Sequence, residues 1–194
     1  RFEVLQQEGH RHRHLSDIAE IIEQSTLSDK VKSETMSAFA MLAEAEAKVH
    51  GEPVDHVHFH EVGAVDSIID ITGAMIMLEH IGWPHVRFSS LNVGSGMVKC
   101  EHGMLPVPAP ATAELLKGMD VYSSGDPMER VTPTGAVLVK TLAGGTSQMP
   151  SGKIQSIGIG LGYRDGELPN LRRATLLSDS RDYGHDQCVV LSAN

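Results

Sequence analysis

The segment Asp55-His-Val-His-Phe-His-Glu61 sets imidazoles at positions 56, 58 and 60 and a carboxylate at 61. Such strict alternation suits a short strand, with the three imidazoles on one face, each pair roughly 6.5–7 Å apart along the chain. Neighbouring pairs can then converge on one metal ion. Imidazole suits nickel, zinc, copper and iron alike, so the spacing does not name the metal. The plain alternative is a half-exposed strand whose histidines face water. His58, His60 and Glu61 are the candidate ligands. Cys100-Glu-His102-Gly103 adds a thiol and an imidazole two residues apart. That pair suits a soft or borderline metal or a thiolate–imidazolium nucleophile, against the commoner case of an inert buried cysteine. A further run, His10-Arg-His-Arg-His14, would collect divalent metal loosely and with little selectivity.

Asp66 and Asp70 are one helical turn apart and share a face that Gly73 continues without a side chain. The surrounding helix is apolar, so the sequence predicts a largely buried setting for both carboxylates, where charge is costly unless paired or metal-bound. For Asp66 the competing role is a helix cap. Thr132-Pro-Thr-Gly135 has the makings of an anion seat. Thr132 can cap, Pro133 fits the first helical position, Thr134 follows it, and Gly135 lets an anion approach the backbone N–H groups. With Gly94-Ser95-Gly96 it forms a candidate phosphate cradle, the alternative being a capped helix with no ligand. Neither stretch is a P-loop or a dinucleotide fingerprint.

The elements that must position these groups follow from periodicity. Residues 1–14 read as a His-rich mobile loop. Ser16 is the expected cap of a short helix with Ile18, Ile21 and Ile22 inward, and Ser28 begins a longer helix to His50, with Val31, Ala38, Phe39, Leu42 and Val49 on one face. Gly51 suits its C-terminal stop. After the strand at 55–61, an almost wholly apolar helix over 67–81 should be buried on most sides, in a core or in the interface of a homo-oligomer. Strands are predicted at 86–91, 121–122, 153–161, 171–177 and 187–192, and helices at 110–117 and from 132 to about 142. Helices and strands interleave after the helical hairpin, so the expected class is α/β, with the strand-rich end keeping α+β open. Residues 15–194 read as a single domain, most of the first domain of a longer protein.

With 25 acidic residues against 16 Lys and Arg, the formal net charge of −9 argues against generic binding to nucleic acid or anionic membranes. At 41% hydrophobic and 21% charged, the composition is that of a globular protein, and with 4% aromatics the core must be aliphatic. Two cysteines, Cys100 and Cys188, make no disulfide scaffold and fit a cytoplasmic setting. The most apolar stretch, 71–78, is far short of a membrane span.

His58-Phe-His-Glu-Val-Gly-Ala-Val-Asp-Ser-Ile-Ile-Asp-Ile-Thr-Gly73 resembles the nickel-insertion family of the lactate-racemase cofactor pathway, the nickel-pincer nucleotide cyclometallases. The likeness continues through residues 94–112, beginning Gly94-Ser-Gly-Met, and through Glu129-Arg-Val-Thr-Pro-Thr-Gly-Ala136, Gly158-Ile-Gly-Leu-Gly162 and Pro169-Asn-Leu171. Leu171-Arg172-Arg173 departs from the family pattern, which has apolar residues before the arginine. The resemblance implies a lyase-type nickel chelatase acting on pyridinium-3,5-bisthiocarboxylic acid mononucleotide, forming Ni–C and Ni–S bonds with hydrolysis of CTP. It implies that CTP and a divalent cation, Mg2+ or Mn2+, bind a C-terminal domain beyond this chain. Apo-lactate racemase or other nickel-pincer enzymes would accept the product. On that reading His58, His60, Glu61 and Cys100 are the metal ligands, and His102, Asp66 or Asp70 accepts the proton released as the Ni–C bond forms. Gly94, Ser95, Gly96, Thr132, Thr134 and Gly135 hold the substrate phosphate. The alternative is a non-catalytic nickel-delivery module serving a separate catalytic domain.

Overall fold

In the computed structural model, residues 13–57, 59, 65–100, 103–125, 127–143, 146, 148–162, 170–178 and 187–193 are described. The long helix α2 (Asp29–His50) is the hub, in contact with α1 (Leu15–Glu23), α3 (Val65–His80), α4 (Pro110–Leu115) and α5 (Pro133–Ala143). Its start is set by Ser28, whose hydroxyl accepts from Val31 N–H at 3.3 Å, and its end by Gly51 at φ +69°, a left-handed stop that costs glycine nothing. Val31, Ala38, Phe39 and Leu42 are fully buried on the inner face as the periodicity predicts, whereas Val49, in the last turn, is 41% exposed. Ile18 and Ile22 of α1 join this core, and Ile21 does not. The cap of α1 is His14 rather than Ser16: the His14 N–H donates to Asp17 Oδ2 at 2.8 Å.

The strands β1 (His85–Phe88), β6 (Lys153–Leu161), β7 (Leu171–Ser178) and β8 (Gln187–Ala193) form one mixed sheet in the order β1-β8-β7-β6. β6, β7 and β8 run antiparallel, and β8 returns parallel to β1 with Phe88 against Leu191. The class is α/β, with its strand-rich end tied back to the middle of the chain. Two small ribbons flank it: β2 (Leu91–Asn92) parallel to β5 (Val121–Tyr122), and the antiparallel hairpin of β3 (Met97–Cys100) and β4 (Gly103–Pro106).

Two further expectations are corrected. Residues 54–56 form a turn of 3-10 helix, and residue 59 pairs through an isolated bridge to Arg13, so the described residues of 55–61 form no regular strand. Pro53 leads into that turn, and the bonds from His56 N–H to the Pro53 carbonyl and from Val57 N–H to the Val54 carbonyl close it locally. Helix α3 is buried on one side only: Ile71 and Met75 are fully buried, while Ile69, Ile76 and Met77 are 38%, 41% and 68% exposed. Among the described residues no helix is long and apolar enough to cross a membrane.

Candidate functional site

The chain folds its two glycine-bearing loops against each other. Gly94 bridges Glu129, Ser95 N–H donates to the Met128 carbonyl at 3.2 Å, and Arg130 N–H to the Val93 carbonyl at 3.2 Å. Gly94-Ser95-Gly96 thus lies beside the segment that opens α5, so the two stretches read as a candidate cradle are neighbours. Gly94 has φ +82°, and a β-carbon there would sit 1.8 Å from the Met128 oxygen, so no other residue type fits. Asn92, 1% exposed, braces the loop: its Oδ1 accepts from Gly94 N–H at 3.1 Å and Ser124 N–H at 3.2 Å. The Ser123 hydroxyl donates to the Gly94 carbonyl at 2.7 Å.

These bonds commit the N–H groups of Gly94 and Ser95 to the chain itself. The loop is therefore a rigid wall more than a row of donors. At the start of α5, Thr132 Oγ1 accepts from Gly135 N–H at 3.2 Å, the cap the sequence predicts. Pro133 has no N–H, and the Thr134 N–H makes no bond among the described residues, so the donors open to an anion there are Thr134 N–H and the two threonine hydroxyls.

Asp66 and Asp70 share one face of α3, as their spacing requires, but both are exposed rather than buried. The apolar character of α3 does not cover them because their face points away from α2 and Met75. Asp66 Oδ1 accepts from Ser67 N–H at 2.9 Å, within the first turn, where a carboxylate is favoured by the helix dipole. Partial desolvation, and then the negative charge of Asp66, hold the Asp70 carboxyl above the usual carboxylate range.

His58, His60, Glu61 and His102 lie outside the described residues. Val57 and Phe59, on either side of His58, are described. Val57 and Phe59 are 2% and 1% exposed, and Phe59 meets Phe39 of α2 edge-to-face at 6.2 Å between ring centres. Phe59 N–H donates to the Arg13 carbonyl at 3.1 Å, and His14 Nδ1 lies 3.1 Å from the Val57 carbonyl. His56 is exposed on the 3-10 turn. Cys100, half-buried at the end of β3, donates its thiol proton to the Gly103 carbonyl at 3.3 Å. Among the described residues no three His, Cys, Asp or Glu side chains gather into a metal site.

Two residues hold places in the structure that their sequence motifs did not suggest. His14 was grouped with the loop, yet with Nδ1–H donating to the Val57 carbonyl it has the backbone-oriented arrangement common to metal-binding histidines. The run of histidines was its signal, masked by the flanking arginines. Arg172 lines an apolar cavity of about 300 Å³ between α3, α5 and the sheet, with Met77, Leu138 and Val189, and donates to the Arg130 carbonyl at 3.3 Å. Desolvation lowers its pKa from the ordinary arginine value. The Arg-Arg step in the sequence was its signal.

The family model for nickel insertion proteins matches residues 1–194. The chain belongs to the nickel insertion protein family. A family relative from Geotalea uraniireducens is 51% identical over 195 residues, covering all of this chain and 50% of its own length. The pyridinium-3,5-bisthiocarboxylic acid mononucleotide nickel insertion protein of Desulfitobacterium hafniense is 47% identical over 169 residues, 87% of this chain and 42% of its own length. The protein of that name in Geobacillus kaustophilus is 46% identical over 176 residues, 90% of this chain and 43% of its own length. The chain spans about half the length of the curated nickel insertion proteins it matches. No solved structure matches it.

Proposed function

We propose that this chain is the part of a cytoplasmic nickel-inserting enzyme that seats pyridinium-3,5-bisthiocarboxylic acid mononucleotide and presents nickel to it. The observation that carries this reading is the match of the whole chain to the nickel insertion family, with relatives 46–47% identical that bear the substrate in their names. The local chemistry supports it. The substrate phosphate sits at the first turn of α5, on Thr132 and Thr134, with Gly135 leaving room for its approach and Gly94, Ser95 and Gly96 as the rigid wall beside it. Nickel, the metal substrate, is held by His58, His60, Glu61 and Cys100, a borderline nitrogen, oxygen and sulfur set suited to that ion. The soft sulfurs of the thiocarboxylates take the ion by ligand exchange.

Forming the Ni–C bond removes a proton from a pyridinium carbon, and Asp66, Asp70 or His102 accepts it. Desolvation and the neighbouring Asp66 charge raise the Asp70 pKa, which suits a proton acceptor without setting Asp66 or His102 aside. On the family resemblance, CTP and its Mg2+ or Mn2+ belong to the other half of the enzyme. The exposed aliphatic face of α3 is the surface on which a homo-oligomer would form. The product passes to apo-lactate racemase or another nickel-pincer enzyme.

The test is nickel insertion by the purified full-length protein supplied with the mononucleotide, Ni2+ and CTP, compared with its Asp70→Asn and His60→Ala variants. Both variants should insert nickel at a small fraction of the parent rate, while still binding the mononucleotide in a calorimetric titration. Parent-like insertion in both would sink the reading. Nickel binding without any mononucleotide binding would leave a delivery module in its place.

A further inference from the structure

Strand β6 is the outer strand of the main sheet, with β7 as its one neighbour among the described residues, and all nine of its residues are exposed. Ile154, Ile157, Ile159 and Leu161 are 58%, 56%, 62% and 79% exposed. They stand in register with Leu177, Thr175, Arg173 and Leu171, so they form one row on the face where Leu177 and Thr175 are buried further in. On the opposite face Ser156, Gly158 and Gly160 offer almost no side chain, which leaves the backbone open to approach. The strand holds no proline, and its one charge is Lys153 at the start.

Folded proteins protect outer strands with charges, prolines, short lengths or a covering element, because an open flat edge recruits other strands. In β6 the one charge, Lys153, and a register irregularity between Ile154 and Ser156 both lie at its start, so residues 157–161 are left to a covering element. Relatives of this chain are twice as long as the stretch they share with it. A tethered segment meets the edge at an effective concentration in the mM range for a short linker, far above that of a free second molecule in a cell.

We propose that a strand from the part of the full-length protein outside residues 1–194 pairs with the open edge of β6 and covers the Ile157–Ile159–Leu161 row. The incoming strand carries alternating apolar side chains on that same face, because pairing keeps opposed residues on one side of a sheet. This inference does not depend on the nickel chemistry.

Hydrogen exchange on the full-length protein tests it. The β6 amides that do not bond to β7 should exchange at least about 100-fold more slowly than an open edge, approaching those of β7, and should do so unchanged over a hundredfold dilution. Exchange at the rate of a solvated edge overturns the proposal. So does protection that disappears on dilution together with a fall in molecular mass, which would assign the edge to a second copy. An Ile157→Lys, Ile159→Lys double variant should lose this protection while the amides between β7 and β8 keep theirs. Unchanged protection in that variant also overturns it.

Discussion

Gly94 approaches Met128 so closely that a β-carbon on the glycine would lie 1.8 Å from the Met128 carbonyl oxygen. This contact, with the bonds on either side of it, locks the loop at 94–96 to the strand-like segment that leads into α5. A Gly94→Ala substitution must therefore push two backbones apart and also hold alanine at φ +82°. Its cost should reach about 3–5 kcal/mol, the range of the most damaging single changes. Urea unfolding of the full-length protein measures this. Gly73→Ala, at a helical position with open space around it, is the control and should be neutral or mildly stabilising.

Thr132 caps α5 through Gly135 N–H. Thr132→Ala should lower stability by about 1 kcal/mol and Thr132→Ser should restore most of it, since serine carries the same acceptor oxygen. If the first turn of α5 seats the substrate phosphate, Thr132→Ala also weakens mononucleotide binding in calorimetry. A stability loss with unchanged affinity would leave Thr132 as a cap alone.

Asp70 is held above the usual carboxylate range by desolvation and by Asp66. Its folded pKa exceeds its unfolded one, so the native state binds the extra proton between those two values, and stability falls as pH rises through that window. The penalty is absent below the unfolded pKa and complete above the folded one. Asp70→Asn removes it, and because the pair is exposed, the gain near neutral pH should be only about 0.2–0.5 kcal/mol, typical of a relieved like-charge pair one turn apart. Thermal melts of parent and variant across the acidic range should converge at low pH. Curves that stay parallel at every pH would refute the assignment.

Phe59 fixes the segment that carries His58 and His60 in sequence to the face of α2, through Phe39. Phe59→Ala should cost about 3–5 kcal/mol, as for other fully buried aromatics. Nickel affinity should drop with it, whereas Phe59→Leu should retain most of both. Parallel denaturation and nickel titrations separate the two effects.

Much of the fold was legible in the sequence because it depends on local rules. Ser28 and Gly51 bound α2 where a cap and a left-handed stop are required, and Thr132-Pro133 opens α5 for the same reason. The strands read from the sequence at 153–161, 171–177 and 187–192 are found within a residue of those bounds. The resemblance around His58–Gly73 and Thr132–Gly135 pointed to the nickel insertion family that the whole-chain match bears out.

Tertiary packing decided the rest. Alternation at 55–61 suggested a strand, but residues 54–56 satisfy their backbone in a 3-10 turn, and among the described residues of that stretch Phe59 alone pairs, in an isolated bridge to Arg13. The apolar composition of α3 predicted burial all round, yet α2 and α5 cover only the side of Ile71 and Met75, leaving Asp66, Asp70 and Met77 outward. Side-chain composition states what an element can bury. Which face it does bury depends on how many neighbours reach it, and that is a property of contacts distant in the chain, such as β8 returning to β1 and Gly94 meeting Met128.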